Sequence, residues 1–559
     1  MDEWTQALLL IGLGWTLILV LGLADARVAR AAPPAAPPAA PPAWTPYALW
    51  VLALLALCLR APLAIGREVR QVDEYQYAAS VAFAQASGEG LLGSPVGVRG
   101  ITLLWTLGDP WDPWPADLLT SLAVAATGLL LGQTLLQALR RAGPALLVVP
   151  LYPFALLRFE GLTCSGEAWA ALGLAGWARL RLAGPDDLSS ARRVAAGVCL
   201  GLAVLAKEHA LPFLALAPAL AALELRGAEG PARGGAFLQR VGLALAGAAA
   251  PLLLVALALL ARGTLGTLLT AYFAFGRGLG DPGAVGDAAA SGGAFFALLD
   301  LAGGILGVAL PSAVGGLGLI QLLRRTGELG TPPRTPELRL AHGLALLGLL
   351  GLFCAALGLR FFPHYYQLAL PALAALVAWR LADALRDVRA PGAGVRWLAA
   401  LQLGLAALLG VGEVALVRDH PRFAEGNSLD REAPPELPLS DAELARRFAA
   451  EVAAATPPDR PVLVWGWRPE LYAFAGRAPA SRWLAGWLLR TPPARILDDL
   501  ERWPPAAVVI PGTHGLMPSA LEGKDPYALE HHPWLGDWLR AHRFREAVRV
   551  GEYRLYLPE

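Results

Sequence analysis

Long apolar runs separated by short arginine-bearing segments dominate the chain, and their lengths set the first reading. A bilayer core of about 30 Å takes roughly 20 apolar residues per helix. On that rule about twelve spans are expected, near residues 4–24, 46–64, 117–137, 143–159, 164–182, 194–207, 209–225, 241–261, 297–321, 341–358, 368–385 and 397–416. The members of the 194–225 pair are short and nearly touch. Residues 31–43 are a Pro-Ala tract that reads as an extended linker. After residue 417 the pattern changes. Charge and proline rise, and no run reaches membrane length. Pro461–Gly466 and Ala506–Pro511 read as buried strands ended by turn residues, Ser440–Glu443 as a helix start and 493–502 as a helix, and Tyr553–Leu557 as a last strand.

The expected architecture is a polytopic α-helical membrane protein with a C-terminal extracytoplasmic small α/β domain. Residues 1–45 form an extra N-terminal anchor and linker, 46–417 the membrane part with a polar loop at 65–116, and 418–559 the tail domain. Arginine placement orients it. Arg27, Arg30, Arg140, Arg141, Arg192, Arg193, Arg226, Arg233, Arg240, Arg324, Arg325, Arg334, Arg339, Arg386, Arg389 and Arg396 fall in alternate inter-span segments. With these on the cytoplasmic side, the 65–116 loop, the 262–296 loop and the tail lie outside. The first span has acidic residues before it and arginines after it, which reads as an anchor rather than a cleaved leader.

Composition agrees with the pattern. Hydrophobic residues make up 56% of the 559 positions and charged residues 16%, against about 25% charged in ordinary globular domains. The formal net charge of +1 provides no basic field for nucleic acid. Cys58, Cys164, Cys199 and Cys354 lie in or beside apolar runs without metal-ligand spacing, and read as small packing residues.

Ionisable residues within spans cost about 2.5–3.5 kcal/mol each at mid-helix on insertion scales. Apart from the cytoplasmic arginines, Arg158, Glu160, Glu167, Lys207, Glu208, His209, Asp300, Arg360, His364 and Glu413 remain, all toward the outer face in this topology. A transporter would gather such groups near the midplane. Single charges at helix ends also snorkel, and Lys207-Glu208-His209 also reads as a structural ion pair at a tight hairpin. The carboxylate pair Asp73-Glu74 stands in the first outward loop. If the lipid side delivers a sugar on a polyprenyl phosphate, the phosphate is a good leaving group. The remaining needs are a carboxylate to take the acceptor proton, which Asp73 suits, and donors at the phosphate, which Lys207, Arg360, His364 and the tyrosines suit. A single base opposite the leaving group implies inversion.

Four stretches carry a family likeness: Val72-Asp73-Glu74-Tyr75; Ser165-Gly166-Glu167-Ala168; Gly197 and Gly201 followed by Lys207-Glu208; and Arg360 through His364-Tyr365-Tyr366 to Pro371. In this order, the chain resembles the GT-C membrane glycosyltransferases, specifically the bacterial protein O-mannosyltransferase and aminoarabinose transferase relatives of glycosyltransferase family 39. The resemblance covers about residues 46–390, with Val462–Gly466 extending it loosely into the tail. It implies that Asp73 is the general base and Glu74 its partner. Lys207 and His364, helped by Arg360 or Tyr365, would hold the donor's lipid phosphate. Arg70, Tyr75, Glu167 and Glu208 are further substrate-binding candidates. Two departures are the additional N-terminal span and Glu167 itself, where many relatives differ. The implied partners are a polyprenyl-phosphate sugar donor, membrane lipid, and a glycan, lipid or protein acceptor. The implied location is the bacterial inner membrane with the catalytic side periplasmic. A divalent metal is admitted, since some GT-C enzymes use one, but no ligand spacing requires it. A lipid-linked glycan transporter and an inactive relative are the alternative readings.

Overall fold

The computed structural model describes residues 40–65, 72–91, 100–157, 164–183, 189–226, 232–266, 335–356, 363–388, 441–466, 468–484, 491–511 and 528–559, together with isolated positions between them. The predicted span at 4–24, nearly all of 297–321, and most of 397–416 and of the 31–43 linker lie outside the described residues. So do Arg70, Arg158, Glu160, Asp300, Arg360 and Glu413.

Among the described residues, the part before residue 390 contains ten helices: α1 (Thr45–Ile65), α2 (Val72–Ser87), α3 (Trp114–Leu139), α4 (Ala142–Leu157), α5 (Gly166–Arg181), α6 (Ser190–Ala206), α7 (Leu216–Glu224), α8 (Ala232–Ala261), α9 (Pro336–Ala356) and α10 (Leu370–Asp387). By length and hydropathy, four described helices can cross a membrane: Thr45–Ile65, Trp114–Leu139, Arg233–Ala261 and Pro336–Ala355. The other expected spans either fall outside the described residues or coincide with shorter or less apolar helices. Helices α5 and α6, capped at both ends, stop at 16 and 17 residues, about 24–26 Å at 1.5 Å per residue. The run expected as one span at 209–225 is broken into a 3₁₀ segment, Glu208–Ala215, and the nine-residue α7. Pro212 and Pro218 account for this, since each lacks the N–H that an α-helical ladder needs.

The bundle's core is one cluster centred on Trp177, Trp379 and Tyr152, with small residues from α3, α5 and α10 between them. Helix α6 lies unusually close to α8. A Cβ at Gly197 would fall 2.0 Å from the Ala244 carbonyl oxygen, and one at Gly201 would fall 2.3 Å from that of Ala248. The Gly-x3-Gly spacing thus lets two backbones touch, the usual way helices associate in lipid.

Residues 65–116 are not the plain loop expected. They contain α2 and a 3₁₀ segment at Gly100–Leu107. Asp73 and Glu74 open α2, where negative charge complements the positive end of the helix dipole, and Tyr77, Ala78, Val81 and Phe83 give the helix buried residues to pack.

The C-terminal part contains α11 (Asp441–Ala455), β1 (Val462–Val464), α12 (Glu470–Ala475), α13 (Pro493–Arg502), β2 (Ala507–Ile510), α14 (Pro533–Ala541), β3 (Phe544–Val550) and β4 (Tyr553–Pro558). The sheet runs β1-β2-β4-β3, with β1 and β2 parallel and the other pairings antiparallel. β1 and β2 are buried throughout, as uniformly apolar strands should be. The core is not the sheet's alone. Tyr77, Ala78 and Val81 of α2, with Trp105, pack in one cluster with Leu463, Trp465, Val508 and Ile510. Phe83 meets the Trp503 ring edge-on at 5.0 Å, and Glu89 pairs with Arg482 at 2.8 Å and Arg502 at 3.1 Å. Arg482 also holds Asp499 at 2.8 Å; burial raises the Asp499 carboxyl above its ordinary range, and Arg482 pulls it part of the way back.

Candidate functional site

Four of the sequence candidates converge where α2, α5, the end of α6 and the 3₁₀ segment at Pro363–Leu368 meet. Glu74 is fully buried, and its Oε1 accepts the backbone N–H of Cys164 at 2.8 Å. That N–H lies just before α5, so α2 is tied to the start of a bundle helix. Ser165 caps α5: its Oγ accepts from the Ala168 N–H at 3.3 Å and donates to Gln367 Oε1 at 3.0 Å. Glu167 follows in the first turn of α5, where the helix dipole favours its charge. Its Oε1 lies 2.8 Å from Lys207 Nζ, and the two side chains are only 2% and 3% exposed.

Lys207 ends α6 with an extended backbone, φ −151° and ψ 121°, which turns the side chain back toward α5. Its ammonium stands 5.6 Å from the Tyr365 ring centroid, within cation–π reach. The other side of the cluster is closed by His209, stacked on the same ring at 4.7 Å. Close approach is built into the backbone at Gly166, where a Cβ would fall 2.4 Å from the Ala206 carbonyl oxygen and 3.3 Å from Lys207 Cδ. Gly166→Ala should therefore push α5 off the end of α6, at a cost of about 1–3 kcal/mol. Thermal unfolding of the detergent-solubilised protein would measure it; an unchanged midpoint would show that the packing yields.

The remaining candidates are placed differently. Tyr75 is turned toward the C-terminal part, edge-on to Phe474 at 5.7 Å and 5% exposed, which gives it a packing contact there. Glu208 is more open, with Oε1 3.9 Å from His209 Nδ1. For Asp73 and His364 the structure describes the backbone: Asp73 is the second residue of α2, and His364 precedes Tyr365 in its 3₁₀ segment. Arg70 and Arg360 are outside the described residues.

A second polar layer adjoins the first, and sequence reasoning did not single it out. Arg60, 5% exposed within α1, donates to Ser121 Oγ, which itself donates to the Asp117 carbonyl at 2.8 Å. The buried Asp117 stands in the first turn of α3. Thr120 Oγ1 lies 2.8 Å from Cys164 Sγ and accepts the Trp169 indole N–H at 3.1 Å. The signal was available: Arg60 and Asp117 are ionisable residues inside the predicted spans 46–64 and 117–137. Each is expensive in lipid unless it faces protein or water.

The Glu74 contact gives a local prediction. Glu74→Ala leaves the buried Cys164 N–H without its carboxylate and should cost about 1–3 kcal/mol, whereas Glu74→Gln retains an amide oxygen to accept it. Comparing the melting temperatures of the two variants checks this; equal values would mean that the contact contributes nothing.

Chemically, the arrangement is a buried cation held by a carboxylate and an aromatic face, next to a helix that opens on two carboxylates. Among the described residues no group of three or more His, Cys, Asp and Glu side chains could hold a metal ion.

No protein-family model and no curated protein matches the chain. Among solved structures it is similar to ArnT from Cupriavidus metallidurans bound to undecaprenyl phosphate, with 15% identity, 91% of this chain and 97% of that chain covered, and a TM-score of 0.49. It is also similar to the oligosaccharyltransferase AglB from Archaeoglobus fulgidus in complex with an inhibitory peptide and a dolichol-phosphate, with 14% identity, coverage of 84% and 69%, and a TM-score of 0.44. A further structure of the Archaeoglobus fulgidus enzyme, in complex with Zn and sulfate, aligns at 14% identity over 83% and 67% with a TM-score of 0.47. Both proteins are GT-C glycosyltransferases. At these identities and TM-scores neither transfers a residue role to this chain.

Proposed function

We propose that this protein is an inverting membrane glycosyltransferase that moves a sugar from a polyprenyl-phosphate donor to an acceptor hydroxyl on the outer face of the inner membrane. The observation that carries the reading is the meeting of all four family-like stretches at one place. Glu74 touches Cys164, Ser165 touches Gln367, Glu167 touches Lys207, and Lys207 faces Tyr365. Stretches up to about three hundred positions apart in sequence have no packing need to share a polar cluster, and a common substrate supplies one.

The roles follow from the chemistry. The acceptor oxygen attacks the anomeric carbon as its bond to the phosphate oxygen breaks. Asp73 takes the acceptor proton, and the polyprenyl phosphate leaves with the bonding pair and one further negative charge. Charge therefore grows on the phosphate side, where a cation fixed in advance stabilises the transition state more than the ground state. Lys207, with His364 and Arg360, is assigned to that side. The Glu167 carboxylate, 2.8 Å from the Lys207 ammonium, orients it. Glu74, anchored on Cys164, holds the first turn of α2 and so positions Asp73. No step requires a metal, and a divalent ion is not assigned. The C-terminal elements are assigned to the same outward side as α2, and the acceptor to a glycan, lipid or protein hydroxyl.

The test is transfer of label from radiolabelled polyprenyl-phosphate sugars into an acceptor fraction, using membranes that contain the protein. Transfer from at least one donor is the expected result. No transfer from any donor, with well-expressed protein, would overturn the reading and favour a transporter.

A further inference from the structure

At the other end of the bundle, α1, α3 and α5 border an open cavity with a few polar side chains in a mostly apolar lining. It measures about 360 Å³ and is lined by Leu49, Trp50, Gln133, Leu136, Gln137 and Arg179. It is distant from the cluster around Glu74: Ser121 and Gln137 are 16 residues apart on α3, about 24 Å along the axis. We propose that this cavity binds the phosphate of an anionic glycerophospholipid from the surrounding leaflet. The proposal does not rest on the glycosyltransferase reading.

Three observations support it. The first is a cation whose described partner is neutral. Arg179 Nε donates to the neutral Gln133 Oε1 at 3.5 Å, and among the described residues no carboxylate pairs with it. Arg192, which donates to the Leu180 carbonyl at 3.1 Å, adds positive charge nearby. A half-buried guanidinium beside an open cavity favours an anion there, and its planar fork suits phosphate oxygens. The second is the type of donor around it, since the side-chain amides of Gln133 and Gln137 can both point N–H groups at such an anion. The third is what flanks the mouth. Trp50, Val51, Leu54 and Leu55 of α1 are all more than half exposed on a helix apolar enough to cross a membrane. Acyl chains would lie along that flank, with Trp50 at the level where tryptophan meets headgroups. A free anion would gain nothing from it, so the occupant is a lipid.

The test is native mass spectrometry of the full chain in detergent with phosphatidylglycerol titrated in, wild type against Arg179→Gln. The wild type should retain one more lipid at low ratios, with affinity about tenfold higher than the variant's, as expected for one lost charged hydrogen bond. Diacylglycerol, which has the chains but no phosphate, should bind no better to wild type than to the variant. Glycerol 3-phosphate, which has the phosphate but no chains, should fail to displace the lipid. Equal retention by the two proteins overturns the proposal; so does tight diacylglycerol binding or displacement by glycerol 3-phosphate. If Arg179→Gln does not fold, Gln137→Glu replaces it, since that side chain is on the exposed rim of the cavity. The new carboxylate should repel the phosphate and lower retention, and unchanged retention would again overturn the proposal.

Discussion

Asp73→Asn is expected to lower the transfer rate by about 10²–10⁴-fold, the usual contribution of a positioned general base, while the protein folds and binds its donor as before. Asparagine has the same size and still suits the first turn of α2, and the buried Glu74 anchor on Cys164 is untouched. The loss should therefore appear in kcat, with little change in donor Kd. The measurement is initial rate against donor concentration in matched membranes, with donor binding followed separately by label retention. A variant that turns over at the wild-type rate would remove Asp73 from the mechanism. A variant that has lost donor binding as well would make it a donor-site residue.

Lys207→Met should have the second large effect, on stability and on activity together. It leaves the Glu167 carboxylate 2% exposed without its cation, and breaking a buried pair from one side costs about 3–5 kcal/mol. The variant should unfold at clearly lower temperature in the same detergent. The double variant Glu167→Gln with Lys207→Met removes the orphaned charge and should regain most of that stability, because a buried pair contributes little beyond a neutral isostere. It should not regain transfer if Lys207 serves the phosphate. Near-normal transfer by a stable double variant would reduce the pair to packing.

Periodicity made much of the molecule legible. Spans at 46–64, 117–137, 164–182 and 368–385 correspond to α1, α3, α5 and α10, and the reading of 493–502 as a helix matches α13 to the residue. Val462–Val464 and Ala507–Ile510 were readable as strands because they are apolar without a break. β3 was not, since its exposed Arg545, Glu546 and Arg549 give it no buried face to signal. Helix α2 was missed because it lies in a segment too polar for a span, and the surface it packs against lies hundreds of positions later. The same distance misdirected Tyr75: beside a carboxylate pair it looks like a substrate contact, and only the position of Phe474 shows what its ring touches. Within the site, residue types were readable and adjacency was not. Glu167, Lys207 and Tyr365 each stood out as polar groups at span ends, but the 2.8 Å pair and the ring beneath it depend on how α5, α6 and the 3₁₀ segment pack. Arg60 and Asp117 carry the same signal, as ionisable residues inside apolar runs.

The core shared by α2 and the C-terminal sheet bears on how the protein is made. Glu89 and Arg502, whose pairing helps fasten the two, are 413 positions apart, so the seat of α2 does not exist until residue 502 and the strands around it have been synthesised. Bundle helices can insert and pack as they emerge, through neighbours close in sequence, whereas long-range contacts close late. The residues that open α2 would then take their working positions last. A nascent chain that has not yet reached β4 would hold its packed bundle helices without the seat that fixes α2.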